Sequence, residues 1–316
     1  MSSPNAALGG EIHASWRLFL DTYEPLRPEL YRYCRHLTRS PWDAEDMVQE
    51  ALARAFVSLG LMSAPPEQPR AWLFRVASNL WLNRVRGSRE QPADFAADAA
   101  DPATEAEPRA TREAAGTLLS QLAPQERAAL VLKDAFGFSL EEVASALATT
   151  SGAVKASLHR GRGKLVVPED EEPAPVAPPV LDAFCEAFNA RDLERLTALL
   201  LEDATLEYPG FKLERGAAEI RAGTFLGTLF GCPDAGGAGH AVAPASRCEL
   251  RVHRGEGLFL WWWGGEVHSV VRSVVHGERL ASLTTYYHAP DVLREVCGEL
   301  GVPVRTHGYY PAAAAR

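Results

Sequence analysis

The chain has 316 residues, 47% hydrophobic and 23% charged, and its 41 Asp+Glu against 32 Lys+Arg give a formal net charge of -9. That length accommodates two or three domains with cores of their own, and no apolar run approaches the roughly 18 residues that would predict a membrane span. Five scattered cysteines (Cys34, Cys185, Cys232, Cys248, Cys297), none in C-x-x-C spacing, and a start "MSSPNAALGGEIHAS" without a signal-peptide pattern argue against a disulfide framework or a zinc site. A reducing cytoplasm is the expected compartment, with no membrane association and no metal or other cofactor.

In chain order, "FLDTYEPLRPELYRYCRHL" predicts an amphipathic helix with Leu30, Tyr33, Cys34 and Leu37 inward. "SPWDAEDMVQEALARAFVSL" predicts a second helix, with Ser40 as N-cap, Pro41 at the first helical position and Asp43 three residues past the cap. Ala44, Met47, Val48, Ala51, Leu52 and Ala55 follow helical spacing and form one buried stripe, while Asp46, Gln49, Glu50 and Arg54 occupy the other face. "RAWLFRVASNLWLNRVRGSR" predicts a third helix that holds arginines, amides and aromatic rings and no acidic residue. Leu73, Val76, Ala77 and Leu80 share its apolar face; Arg75, Asn79 and Arg86 lie nearly opposite, with Trp72 and Trp81 flanking the stripe and Arg84 at its edge. Such a surface is a solvated face in most isolated helices, yet it also suits phosphate neutralisation with base stacking.

Two acidic, Pro/Ala-rich stretches, at 91–110 and 167–178, read as linkers. They divide the chain into domains at 10–90, 111–166 and 179–308. The middle domain ends in "FSLEEVASALATTSGAVKASLHRGRGKL", where Ser139 and Glu142 form a capping box, "ATTSG" a short turn, and Val154, Leu158 and Leu165 the buried side of a second helix. Ala156, His159 and Arg160, flanked by Lys155 and Arg162, lie on its other side, as expected of a helix-turn-helix that enters a major groove.

With these motifs in order, residues 10–166 resemble bacterial RNA polymerase sigma factors of the extracytoplasmic-function (ECF) type. "DAEDMVQEALARAF" is similar to the family's polymerase-binding helix, "PRAWLFRVASNLWLNRVR" to its promoter-reading helix, and "LAPQERAALVLKDAFGFSLEEVASALATTSGAVKASLHRGRGKL" to its C-terminal helix-turn-helix. Asn83 stands where the family has Asp. The resemblance implies that Asp46, Gln49, Glu50 and Arg54 bind core RNA polymerase. It places Arg75, Asn79, Asn83, Arg84 and Arg86 along the −10 element, and Lys155, Ser157, His159, Arg160 and Arg162 on the −35 duplex. Promoter DNA and core polymerase would then be the partners, with strand separation driven by binding energy and no catalytic residue required.

From 179 onward, helical segments are followed by successive strand-like runs: "SRCELRVHR", "GLFLWWWGG", "EVHSVVRSVVHG" and "RLASLTTYYHA", an α+β pattern. This part resembles the SnoaL-like cone fused to some of these sigma factors, with "YYHAPDVLREVCGELGVPVRTHGYYP" similar to the tail of such fusions. The expected fold is therefore multidomain: two all-α sigma domains and an α+β cone with a curved antiparallel sheet. The cone is expected to contact the sigma domains within the same chain and to modulate them, with a small apolar ligand as a further expectation; Trp262, out of phase with Trp261 and Trp263, would be a reasonable contact if exposed. Two rival readings stay open. One is a helix-turn-helix regulator that acts without polymerase, and the other a bifunctional protein whose cone catalyses through Asp203, Tyr208, His268 or His288.

Overall fold

Local signals place the helices of the first unit near where the spacing predicts them, although a 3-10 turn at Glu24–Leu26 interrupts the first. The computed structural model describes residues 15, 17–62, 64–90, 122–163, 178–230 and 246–309. The linker at 91–110, nearly all of that at 167–178, and Leu165 lie outside the described residues. Contacts divide the chain into two units, Met1–Glu172 and Pro173–Arg316.

In the first unit, α1 (Arg27–Thr38) buries Leu30, Tyr33, Cys34 and Leu37 and ends at Arg39, whose φ of 67° breaks the helix. α2 (Pro41–Leu61) starts at Ser40, whose Oγ accepts the Asp43 N–H at 3.2 Å, and it buries the whole stripe from Ala44 to Ala55. Glu45, beside that stripe, is also wholly buried, and its partner is the equally buried Arg27 of α1. A carboxylate is tolerated there because a guanidinium from another helix meets it, and removing either partner would leave an uncompensated charge. α3 (Pro69–Glu90) buries Trp72, Leu73, Phe74, Ala77 and Leu80.

α4 (Pro124–Leu130) runs into a π-helical turn at Val131–Ala135 and a short loop before α5 (Leu140–Ala146) and α6 (Ser151–Gly163). Ser139 and Glu142 form the predicted capping box, with Glu142 N–H donating to Ser139 Oγ at 3.1 Å and Ser139 N–H to Glu142 Oε2 at 2.7 Å. Thr150 caps α6 by accepting the Ala153 N–H at 3.2 Å.

The loop before α5 does more than connect. Phe136 and Phe138 pack on α1 and α3: Phe136 lies 5.8 Å from Tyr33 and 5.6 Å from Phe74, and Phe138 lies 5.2 Å from Phe74, between ring centroids. Arg70 of α3 covers Phe138 at 4.1 Å and donates to the Phe136 carbonyl at 3.1 Å, while Arg127 of α4 donates to the Leu37 carbonyl at 2.6 Å. The helices expected as two separate domains thus share one aromatic core.

In the second unit, α7 (Pro179–Asn189) and α8 (Leu193–Ala198) precede β1 (Leu200–Tyr208) and β2 (Lys212–Arg215). A helical stretch follows as α9 (Ala217–Ile220), a π-helical turn at Arg221–Phe225, and α10 (Leu226–Phe230). β3 (Arg247–His253), β4 (Glu256–Trp263), β5 (Glu266–His276), β6 (Arg279–Thr285) and α11 (Pro290–Leu300) complete it. The six strands lie in the order β2-β1-β6-β5-β4-β3. β1 pairs with β6 in parallel and every other pairing is antiparallel, so the sheet is mixed. That pairing follows from chain order: β1 and β6 come from opposite ends of the domain, with the helices and the β3–β6 meander between them. The β4–β5 turn consists of Gly264 and Gly265 at φ of 59° and 90°, left-handed values that a tight two-residue hairpin demands.

Phe184 and Phe188 of α7 pack on Phe259 and Trp261 of β4 at 4.5 and 5.3 Å, which seats this helix on the sheet. Helices over a curved sheet are the cone layout the sequence resembles. A register shift between Trp261 and Trp262 breaks the strict alternation expected of the three tryptophans. Trp261 is buried, Trp263 contacts His268, and Trp262 is half-buried beneath the Arg247 guanidinium at 4.6 Å.

Candidate nucleic-acid interface

α3 carries Arg75, Asn79, Asn83 and Arg86 at intervals of four, four and three residues, so they form one stripe along the helix. Arg75 is half-buried and the other three are exposed, and among the described residues neither arginine carries an ion pair. Trp72 and Phe74 point away from this stripe into the core, so the aromatic rings of the segment support the helix more than they offer stacking surface.

Arg84 behaves differently from the rest of its group. Its Nη2 donates to Glu50 Oε2 at 2.6 Å, and Glu50 Oε1 accepts from Arg54 Nη2 at 2.5 Å. Partial burial opposes ionisation of Glu50, but these hydrogen bonds and charges outweigh it and hold the carboxyl below its usual range. Arg84, Glu50 and Arg54 therefore form one network joining α2 to α3. Gln49 donates to Glu45 Oε1 at 2.8 Å, and Asp46 is exposed. Pattern alone could not reveal that Gln49 leans on a buried ion pair, because Arg27 comes from another helix.

On α6, Val154 and Leu158 face inward as expected, and so does Ser157, only 5% exposed. That side chain departs from the expected DNA-facing set: it lies one turn behind Gly161, whose bare Cα lets α4 approach closely, a Cβ there meeting Leu130 Cδ1 at 3.4 Å. Lys155, His159, Arg160 and Arg162 are exposed. Arg160 donates to Glu126 Oε1 at 2.9 Å, and Arg162 grips Asp134 at 3.1 and 2.6 Å. Lys155, His159 and Arg162 line an open depression of ≈ 700 Å³ with Lys133. This is a cation-rich surface at the second helix of a helix-turn-helix, where phosphate could replace the carboxylates.

In the second unit, Tyr208, His268 and His288 line one cavity, whereas Asp203 is exposed on β1 outside its lining.

The Sigma-70 region 2 family model matches residues 22–91 and the Sigma-70 region 4 model residues 112–165. Over 159 residues the chain is 30% identical to the ECF RNA polymerase sigma factor SigL of Mycobacterium tuberculosis, covering 49% of this chain and 90% of that protein. The chain belongs to the ECF sigma factors. Within that family it is 33% identical over 224 residues to SigG of M. tuberculosis, covering 60% of each, so it spans well under two thirds of that relative's length. The crystal structure of the M. tuberculosis ECF sigma factor SigJ aligns over 87% of this chain and 98% of its own, at 26% identity and a TM-score of 0.34. The residues missed in the sequence of this ECF sigma factor are Arg27, Glu45, Arg70, Phe136 and Phe138. The aromatic spacing "FGF" at 136–138 was the one visible signal, since two large rings beside a left-handed Gly137 (φ 69°) are poorly suited to a solvated loop.

Proposed function

We propose that this ECF sigma factor binds core RNA polymerase through Asp46, Gln49, Glu50 and Arg54 and directs initiation at promoter DNA. In this reading Arg75, Asn79, Asn83 and Arg86 track the −10 strand, and Lys155, His159, Arg160 and Arg162 meet the −35 duplex. One observation carries it: the carboxylate-free stripe of α3 stands beside the acidic face of α2, and the Glu50–Arg84 pair links the two. A helix fixed to polymerase by one face would thereby orient its neighbour toward DNA. The protein acts in the cytoplasm and its cone performs no catalysis.

Run-off transcription with purified core polymerase on a genomic fragment library tests this, paired with core pull-down. Defined start sites that depend on the protein are expected. DNA binding without core association would favour the stand-alone regulator. The cone modulates the sigma domains, so deletion of residues 173–316 is expected to change promoter activity or core affinity severalfold; unchanged values would remove the regulatory role.

The cone's cavity of ≈ 430 Å³ supports regulation by a small molecule. His268 is 5% exposed, neither ring nitrogen has a partner among the described residues, and burial first, then His307 and Arg305, lower its pKa to about 4. A neutral imidazole left unsatisfied at a cavity wall favours a ligand hydroxyl. Lys212 Nζ is matched by buried Glu214 at 2.5 Å, and Trp261, Phe211 and Tyr287 supply aromatic faces, so the ligand is uncharged and flat. With 2-naphthol as probe, saturable binding to the full chain is expected, and Gly227→Leu, which grows into open space at the cavity wall, should abolish it. Absence of saturable binding, or binding indifferent to that substitution, would refute the ligand.

A further inference from the structure

Two cysteines that read as scattered in the sequence meet in the second unit. Cys185 of α7 and Cys248 of β3 bring their sulfurs to 3.3 Å, across 63 residues of chain. Both are free thiols.

The approach is held by a device on the same helix. β3 is an edge strand of the sheet. Asn189, one turn beyond Cys185 on α7, answers the outward-facing peptide groups of Cys248: its Nδ2 donates to the Cys248 carbonyl at 2.8 Å, and its Oδ1 accepts the Cys248 N–H at 2.8 Å. One amide side chain thus does for the strand edge what another strand would do. Because residues i and i+4 share a helix face, clamping Asn189 on the backbone of Cys248 sets Cys185 against its side chain. The pairing is fixed by two hydrogen bonds and by the Phe184 and Phe188 stacks on either side of Cys185 in the helix.

We propose that Cys185 and Cys248 form a dithiol site oxidised to an intramolecular disulfide by hydroperoxides. The half-buried Cys185 attacks as thiolate. Its sulfur takes one oxygen from the O–O bond, giving a sulfenic acid, and the departing alkoxide or hydroxide takes up a proton. Cys248 then attacks that sulfur; its proton leaves with the hydroxyl as water, and the S–S bond forms. Two electrons pass from the thiols to the hydroperoxide, and two protons leave with them. Cys248, 2% exposed, is the resolving partner: burial first, then the Cys185 sulfur beside it, pushes its thiol pKa well up, so it is a poor first nucleophile. The bond would staple α7 to the sheet edge at the rung opposite Trp261, which lines the cavity.

The test uses the full chain and hydrogen peroxide at a few equivalents. The expected result is loss of two titratable thiols, a peptide map linking 185 to 248, reversal by dithiothreitol, and a rise in the melting temperature of the second unit by several degrees from closing the long loop. Cys185→Ala should abolish all four, and Cys34→Ala should leave them intact. Cys185→Ser, which keeps a polar side chain, covers the case in which the alanine variant misfolds. Oxidation that stops at sulfinic acid on Cys185, a linkage to another cysteine, or an unchanged thiol count would overturn the proposal.

Discussion

Alanine at both Arg75 and Arg86 is expected to cut initiation from a cognate promoter by at least roughly 30-fold. The figure takes the lower end, about 1 kcal/mol for each phosphate or base-edge contact, for two contacts on one stripe. Both side chains stand without an ion pair among the described residues, so no internal partner is lost when they are removed. The folded state should therefore be unchanged, which melting of the variant would check. Loss of two single-strand phosphate contacts should also make the salt dependence shallower, by about 0.7 per phosphate or about 1.4 for the pair. Core binding should stay at its wild-type level, because the residues proposed to face polymerase are on α2. Arg84→Ala makes the contrast: its guanidinium is engaged by Glu50, so its loss is expected to disturb core association as well. Unaltered run-off product from the Arg75/Arg86 variant would refute the placement of α3 on DNA.

Phe74→Ala is expected to carry the largest stability penalty in the first unit, about 3–5 kcal/mol as for other fully buried phenylalanines. Phe74 is 0% exposed and contacts Tyr33, Phe136 and Phe138, so its removal empties the point where α1, α3 and the loop before α5 converge. Phe136→Ala should cost less, because that ring is half-buried. Urea unfolding with hydrogen exchange of the α3 amides reads the effect in this unit separately from the other. A penalty under about 1 kcal/mol would mean that the aromatic contact joining the two sigma regions does not form in solution, since an exposed ring stabilises little. Both predictions concern one helix, and they divide it: the Arg75 face is proposed to bind, the Phe74 face packs.

Much of this arrangement was legible in the sequence because its causes are local. Ser40 and Pro41 start α2, Ser139 and Glu142 start α5, and the 3.6-residue spacing of Ala44, Met47, Val48 and Ala51 marks a buried face, all within a few residues of chain. The charge segregation of α3 is likewise local. Other features required partners far along the chain. Glu45 sits inside only because Arg27 meets it, Arg84 answers Glu50 across 34 residues, and Ser157 turns inward where α4 closes on Gly161.

By itself, then, the sequence determined most of the helices and the four strands after 246, the capped starts at Ser40 and Ser139, and which faces are apolar or cationic, since caps, spacing and charge act over one or two turns. Only the tertiary structure decided that β1 runs parallel to β6, that Phe136 and Phe138 join the two sigma regions into one unit, and that Cys185 lies against Cys248. These are pairings across tens of residues, and neither side chain of such a pair carries a local mark of its partner. The geometry of the folded chain selects them.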